Sequence, residues 1–459
     1  MNTRLILPIA QPIVTNRLCD CNEAVALNSR HLQSNEDRAL DDIPMIKEAF
    51  ELVRKQIPVR EHLPYSRQLV LSRKKGGKFY TYQRALESLK SKPITECDAT
   101  LKMFIKNERM SDPDKAPRAI QARNPRYNLE LQTYINVIED YVFHLPIDKA
   151  VSTKCYDQDR KAQCLKFAWD EFAEPVAILA DHSRFDSRIH SEWLKAEHEY
   201  YKSFFPGDDY LSWLLKFQLH NHGATRNGVS YSIRGSRASG DANTSIGNSI
   251  VNLAIIAYWL KGIRYRVLVD GDDSVIIIEA SDLHKVDMKR LEGMGFGTTT
   301  GLAYEFEEID FCQCKPVLCA DGWRMVRNPQ RVIDRSTVCI DANYTRLDLF
   351  KRWLRSVGEC ELSINRGVPV LQSFAKFLIR CSDRSITLRD VDMTNRKSSR
   401  DYSHVITEDA RRSFAKAFHM SIGQQIDFEN YFDKLVLTAD VIDKVSEPTC
   451  NTSVLLIQE

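Results

Sequence analysis

The sequence predicts an α+β fold, on three observations. Tyr265-Arg266-Val267-Leu268-Val269-Asp270-Gly271-Asp272-Asp273-Ser274-Val275-Ile276-Ile277-Ile278 reads as strand, tight turn, strand. Apolar and β-branched residues fill both arms around Asp-Gly-Asp-Asp, a strong hairpin signal. Val176-Ala177-Ile178-Leu179-Ala180-Asp181 is a second buried-strand pattern, with a helix expected from about Ser187 to Phe205. Beyond Ile333 the text turns helical, over Leu347 to Val357, Pro369 to Ile379, Thr407 to Met420 and Phe428 to Val436, as a separate lobe.

The chain has 459 residues, 43% hydrophobic and 27% charged, which is globular composition with room for two or three subdomains. The formal net charge is +2, so any nucleic-acid surface has to be local. No apolar run is long enough for a transmembrane helix. Met1 to Pro8 is too short, and too soon broken by proline, for a signal peptide. Of the twelve cysteines, Cys19/Cys21 and Cys312/Cys314 form C-x-C pairs without the paired C-x2-C spacing of zinc sites. They read as small core residues in a reducing compartment.

In order along the chain, Ile43 to Ile57 has helical spacing and stops before Pro58. Ser72 to Tyr82 interleaves Lys and Arg with two glycines and three aromatics, and reads as a loop before a helix over Gln83 to Leu89. Such a loop is either plainly solvated or contacts a nucleic-acid strand. Lys102, Lys106, Arg109, Lys115, Arg118, Arg123 and Arg126 form a basic cluster around an Asp112-Pro113-Asp114 turn, and Pro117 to Gln121 reads as a short strand presenting Arg118. Arginines spread over turns and a strand could converge on a phosphate. Residues 206–232 read as loop and helix. From a Ser239-Gly240 turn a helix runs to about Leu260, with Thr244, Asn248 and Asn252 on one face. Thr and Asn are poor interior helix formers, so that face is expected to hydrogen-bond to something. Asp282 to Met294 is expected to be a helix closed by Gly295, followed by short strands over Ala303 to Asp310 and Phe311 to Val317.

The chemistry lies in the carboxylates. Asp272 and Asp273 repel one another at the tip of an apolar ribbon. Taken alone, the hairpin is equally an Asp-rich surface turn or a site for hard divalent cations. Helix capping would account for Asp186 but not for Asp181, which ends an apolar strand before any helix begins. Two-metal phosphoryl transfer requires carboxylates from separate elements around two cations roughly 3.5–4 Å apart. It also requires basic groups that hold the triphosphate.

The order of basic cluster, D-x4-D (Asp181, Asp186), S-G-x3-T-x3-N (Ser239 to Asn248), G-D-D (Gly271 to Asp273) and F-C-Q-x-K-P (Phe311 to Pro316) resembles a viral RNA-dependent RNA polymerase. The likeness is greatest to the tombusvirus-like group of positive-strand RNA viruses. Ala116 to Gln121 and Pro125 to Asn128 are similar to that group's nucleotide-entry motif, Gly77 to Leu89 to its template-side segment, and Phe311 to Val317 to its primer-grip strand. The resemblance implies a right hand: fingers, a palm with a ferredoxin-like antiparallel sheet, and a helical thumb. Its expected divisions are 1–60 as an N-terminal extension contributing to the fingers, 61–165 fingers, 166–200 palm, 201–232 fingers insertion, 233–328 palm and 329–459 thumb.

Roles follow from the same resemblance. Asp181, Asp272 and Asp273 would be catalytic metal ligands for Mg2+ or Mn2+, Asp272 the stronger. Asp186 and Asn248, helped by Thr244, would read the ribose 2′-OH. Ser239 and Gly240 would form a mobile loop near the template base. Arg118, with Lys106 and Arg126, would bind the triphosphate. The implied partners are RNA template, nascent RNA, NTPs and a membrane-anchoring viral replication protein, at membrane-associated replication sites in the host cytoplasm. Relatives often carry a lysine as general acid after the Gly-Phe turn; Gly295 to Gly301 has none, so another group, water or Lys289 would have to protonate the pyrophosphate, and the role is left unassigned. Two other functions fit parts of the pattern, a reverse transcriptase and a non-catalytic RNA-binding scaffold.

Overall fold

A computed structural model describes residues 2–5, 7–11, 13–32, 42–112, 114–388, 404–437 and 442–445. Strands β1 (Asn2–Leu5) and β2 (Val14–Thr15) precede helix α1 (Asp20–Leu27), which continues into a π turn, Asn28–Leu32. Helix α2 (Ile43–Gln56) lies where the spacing of Ile46, Phe50 and Val53 predicts it, and Asp42 caps it by accepting from the Met45 amide at 3.0 Å. Helices α3 (Arg67–Ser72) and α4 (Gly76–Ser91) follow. Here the sequence reading is corrected. The segment from Gly76 to Tyr82, expected in a loop, is the start of α4. Ala85, Leu86 and Leu89 pack around Val70 and Leu129, and this burial supports a helix whose first turn has weak propensity.

The basic cluster lies on β3 (Leu101–Ile105), β4 (Arg109–Met110) and β5 (Ala119–Ala122), ahead of α5 (Pro125–Phe143) and α6 (Gln158–Trp169). Next come β6 (Pro175–His182), α7 (Phe185–Arg188), α8 (Ser191–Lys202) and α9 (Asp209–Lys216). The single helix expected from Ser187 is therefore two, broken where Ile189 turns extended. Part of the 206–232 stretch is a hairpin, β7 (His220–Thr225) and β8 (Ser230–Arg234), which its polar residues hide from a hydrophobicity reading.

Helix α10 (Thr244–Trp259) leads to the predicted hairpin, β9 (Tyr265–Asp270) and β10 (Asp273–Glu279). The helix expected over Asp282 to Met294 is only α11 (Met288–Glu292), after a 3-10 segment; the strand expected over Ala303 to Asp310 is not one, since β11 (Thr298–Ala303) ends where it was to begin and Phe306–Glu308 is a 3-10 turn. Strands β12 (Cys314–Cys319) and β13 (Gly322–Arg327) precede α12 (Pro329–Ser336), β14 (Val338–Cys339), α13 (Leu347–Ile364), α14 (Leu371–Arg380), α15 (Glu408–Phe418), α16 (Ile422–Lys434) and β15 (Ile442–Val445).

The central sheet has strand order β11-β6-β10-β9, every pair antiparallel. Val176, Ile178, Val267, Val269, Ile276 and Ile278 pack into one core with residues of α2, α8 and α10. Ala177, Leu268, Val275 and Ile277 face a second core with Leu165 and Ala168 of α6 and Met325 of β13. Burial on both faces is why β10 is a continuous apolar run instead of an alternating one. A second sheet, β5-β3-β7-β8, carries the basic cluster.

The N-terminal segment touches two regions. β1 pairs with both β14 and β15, and Leu5 and Leu7 join the C-terminal helical core. β2 pairs with β4, and Arg30 donates to the carbonyls of Ala116 at 2.7 Å and Pro117 at 2.9 Å.

One buried ion pair ties the second sheet to the segment before α10. Arg123 donates to both carboxylate oxygens of Asp241, to Ala99 O and to Asn221 Oδ1, and the pair's side chains are 1% and 2% exposed. Removing one partner strands the other charge out of water. Arg123→Ala is therefore expected to lower unfolding free energy by about 3–5 kcal/mol, read as a fall in the denaturant midpoint.

Candidate active site

The hairpin tip is fixed before any charge is considered. Gly271 has φ 75°, in the left-handed region that its turn position requires. Helix α10 then holds the turn by its backbone: the Gly271 amide donates to Ser249 Oγ at 3.1 Å, and Asn252 Nδ2 donates to the carbonyls of Gly271 at 3.2 Å and Asp272 at 2.9 Å. Asn252 Oδ1 faces His182 Nε2 at 3.0 Å, and His182 Nδ1 faces Thr298 Oγ1 at 2.8 Å. Because the Asn252 amide nitrogen is committed to carbonyls, its oxygen accepts, and His182 carries its proton on Nε2. Burial lowers the pKa of that ring. The polar helix face thus meets the turn, as its row of Asn and Thr suggested. Ser249 and His182 were not legible as part of the contact.

Sheet register brings the carboxylates together. Ala180 stands opposite Ser274, which carries Asp181 to the same sheet end as Asp273, and Asp273 stands opposite Asp270. Asp181 and Asp272 are exposed and Asp273 is half-buried. Asp270 is paired with Lys154 at 2.9 Å and Lys161 at 2.6 Å; burial acts against its ionisation, yet the lysines hold its pKa below the usual range. Asp273 is pushed up to about 6 by burial and then by the charges of Asp272 and Asp181. Asp272 is also raised, by burial and Asp181, against its own backbone hydrogen bond and His182. Among the described residues, Asp181, Asp272 and Asp273 join no ion pair, and no group of three or more His, Cys, Asp or Glu has metal-holding geometry. The donor set nevertheless suits hard divalent cations: oxygen ligands only, mutually repelling, with no ion-pair partner among the described residues.

Asp186 lies in the first turn of α7 and accepts from Asn248 Nδ2 at 2.7 Å. Burial pushes its pKa up to about 6, with the Asn248 bond working against that. The other predicted residues divide. Thr244 Oγ1 lies 2.8 Å from Ala238 O and 3.0 Å from Asp241 O, so it supports the preceding loop instead of reaching the Asp186–Asn248 pair. Ser239 and Gly240 are docked on β5: Ser239 Oγ donates to Ala119 O at 3.1 Å and the Gly240 amide to Gln121 O at 3.0 Å. A Cβ on Gly240 would meet Gln121 O at 2.4 Å, which explains the glycine. In this structure the loop expected to be mobile is therefore anchored.

Arg118 is half exposed and paired in a two-pronged contact with Glu108; that bond and the charge of Asp272 raise its pKa, so its guanidinium is within electrostatic reach of the hairpin tip. Lys106 is 3.8 Å from the same Glu108. Arg126 needs correction. It is buried, and four of its five N–H groups are committed to Asp98 Oδ1, Ser88 Oγ and the carbonyls of Lys92 and Pro93, which ties it to that segment instead of presenting it to a triphosphate. Arg30, Arg331 and Arg335 all feel the charges of Arg118 and Glu108, and burial heads the causes that lower each of their pKa values. These three come from remote segments, so no spacing pattern announces them. Arg188, whose Nη1 donates to Gly295 O at 3.2 Å, is the cation at the lysine-free loop, while Lys289 is exposed on α11. Cys312 and Gln313 both adopt positive φ, 53° and 60°, between Phe311 and Cys314, and Cys312 lies within electrostatic reach of Asp273.

The chain matches the family described as viral RNA dependent RNA polymerase over residues 13–440. It is 33% identical over 402 residues to the RNA-directed RNA polymerase of Turnip crinkle virus, an alignment covering 83% of this chain and 52% of that protein. It is 34% identical over 384 residues to that of Cucumber necrosis virus, covering 79% and 46%. With the protein of the same name from Melon necrotic spot virus it shares 36% over 391 residues, covering 77% and 48%. The chain spans about half the length of these curated relatives. The match across most of the chain and the meeting of the motif carboxylates at one sheet end agree: the chain belongs to the viral RNA-dependent RNA polymerases, within the tombusvirus-like group.

Proposed function

We propose that this chain performs RNA-templated RNA synthesis, transferring a nucleotide from an NTP to an RNA 3′-OH with release of pyrophosphate, and so replicates a viral RNA genome. One observation carries the reading. Three carboxylates with no ion-pair partner among the described residues stand at a sheet end, beside the hydrogen-bonded Asp186–Asn248 pair and within electrostatic reach of a solvent-open arginine.

Arg118 and Lys106 bind the triphosphate, exchanging Glu108 for phosphate oxygens. Asp186 accepts from the ribose 2′-OH while Asn248 holds Asp186 in place. Asp181, Asp272 and Asp273 are the residues to hold divalent cations, Mg2+ or Mn2+, which when bound supply charge neutralisation and lower the pKa of the attacking hydroxyl. Asp270, neutralised by Lys154 and Lys161, keeps the hairpin end in place without adding free charge.

The corresponding layout is a right hand. The antiparallel sheet β11-β6-β10-β9 with α8 and α10 serves as a ferredoxin-like palm over 166–200 and 233–328. Residues 61–165 and 201–232 are fingers, 1–60 an extension of them, and 329–459 the thumb. No helix among the described residues is long and apolar enough to cross a membrane. The proposed partners are RNA template, nascent RNA, NTPs and a membrane-anchoring viral replication protein, at replication sites in the host cytoplasm.

Purified protein with an RNA template, Mg2+ and labelled NTPs is expected to incorporate NMP, and Asp272→Ala to reduce incorporation to background at an unchanged melting temperature. Retained incorporation in that variant would overturn the proposed catalytic centre, and none in the parent would favour the scaffold. Incorporation of dNTPs as efficient as that of NTPs would favour a reverse transcriptase. Arg118→Ala is expected to raise the KM for NTP roughly 10- to 100-fold, the loss of hydrogen bonds between charged groups, in steady-state incorporation.

A further inference from the structure

Behind Asp186 and Asn248 lies a buried ion pair that the reading above does not use. Arg237 and Glu197 have side chains 1% and 0% exposed and are bonded through Nη2 and Oε2. Burying two charges is costly, and apolar residues of similar volume would fill such a site at least as stably. The surroundings are nonetheless built around the pair. An ideal Cβ on Gly247 of α10 would lie 2.5 Å from Arg237 Nη2 and 2.5 Å from Glu197 Oε1, so glycine is what leaves room for it. Glu197 Oε1 also accepts from Asn243 Nδ2 at 3.2 Å, and Asn243 forms a reciprocal amide pair with Gln218 at 2.8 and 3.1 Å.

The other end of the network points to the sugar site. Arg237 Nε donates to Asn248 Oδ1 at 3.0 Å, and the Arg237 amide donates to the Asp186 carbonyl at 2.8 Å. Arginine has only donors, so the atom that Asn248 turns toward it must be the oxygen. The Asn248 nitrogen is thereby turned to Asp186 Oδ1, at 2.7 Å. Asp186 Oδ2 has no hydrogen-bond partner among the described residues. A free side-chain amide can rotate by half a turn at little cost; this one is held in one sense by a guanidinium that is itself held by Glu197.

We propose that Arg237 and Glu197 are positioning residues for sugar discrimination. They fix the sense of the Asn248 amide so that it engages one oxygen of Asp186 and leaves the other for a ribose 2′-OH. The proposal rests on the reading of Asp186, held by Asn248, as the ribose contact, and its test separates the two.

The experiment compares kcat/KM for an NTP and the matching 2′-dNTP on an RNA template, using the full chain. The variants are Asp186→Asn, Asn248→Ala, Arg237→Lys, Glu197→Gln and the Asn248→Ala/Arg237→Lys pair, each checked for its melting temperature. Arg237→Lys and Glu197→Gln are expected to lower the NTP:dNTP ratio on the order of tenfold, as for one lost hydrogen bond to a charged group, chiefly through the KM for NTP. Arg237→Lys should have no further effect on the ratio in the Asn248→Ala background. A purely structural role would depress both substrates alike. If Asp186→Asn loses discrimination while folded Arg237→Lys and Glu197→Gln keep the parental ratio, the positioning role is overturned and the ribose reading stands. If Asp186→Asn and Asn248→Ala both keep the ratio, both are overturned. Should Arg237→Lys fail to fold, the isosteric Glu197→Gln decides: a parental ratio in that variant overturns the proposal.

Discussion

Three carboxylates crowded at one end of a sheet repel one another, and the structure around them is arranged to hold them there. Burial and then the charges of Asp272 and Asp181 raise Asp273 to about 6, and burial with a smaller push from Asp181 raises Asp272. The frame that holds them is largely neutral. Strands β6, β9 and β10 are buried on both faces by apolar cores, and α10 grips the turn through its backbone, not its acids. The fourth carboxylate, Asp270, is cancelled by two lysines. Asp181, Asp272 and Asp273 join no ion pair among the described residues.

Charge burial recurs one layer out. Arg123–Asp241 and Arg237–Glu197 are both nearly inaccessible, and they flank the segment 237–241 that leads into α10. Each links that segment to a different part of the molecule, the first to the sheet bearing the basic cluster, the second to α8. Such pairs are poor sources of stability compared with apolar packing. They do define direction, because a guanidinium with several fixed acceptors has few alternative poses. Gly240 and Gly247 make the close approaches possible, at β5 and at the Arg237–Glu197 pair.

Much of this was legible in the sequence, for local reasons. The hairpin, the strand ending at Asp181 and α10 are set by β-branched runs, a Gly-containing turn and helical period, all read within a short window. The α+β content follows from them. What was not legible depends on partners distant in the chain. The segment from Gly76 to Tyr82 resembles a loop until Leu86 and Leu89 are seen packed beside Leu129. Arg126 looked like a phosphate ligand because composition cannot tell an arginine capped by carbonyls from one facing a cleft. Thr244 shares a face with Asn248, yet its hydroxyl bonds within its own turn, a common alternative for threonine. Arg30, Arg331 and Arg335 gather near Arg118 from both ends of the chain, which no motif spacing encodes.

The pairing of β1 with β15 sets an order on how this molecule can be made. Asn2 stands opposite Val445 and Leu5 opposite Ile442. On a ribosome moving at about 5–20 residues per second, β1 waits roughly 20 to 90 seconds for β15 to emerge. Until then an edge rich in unpaired amides and carbonyls is available to any other strand nearby. Closing so distant a pair is also slow in its own right, since the loop entropy is lost before the contact repays it. The stitch between β1 and β15 therefore closes late.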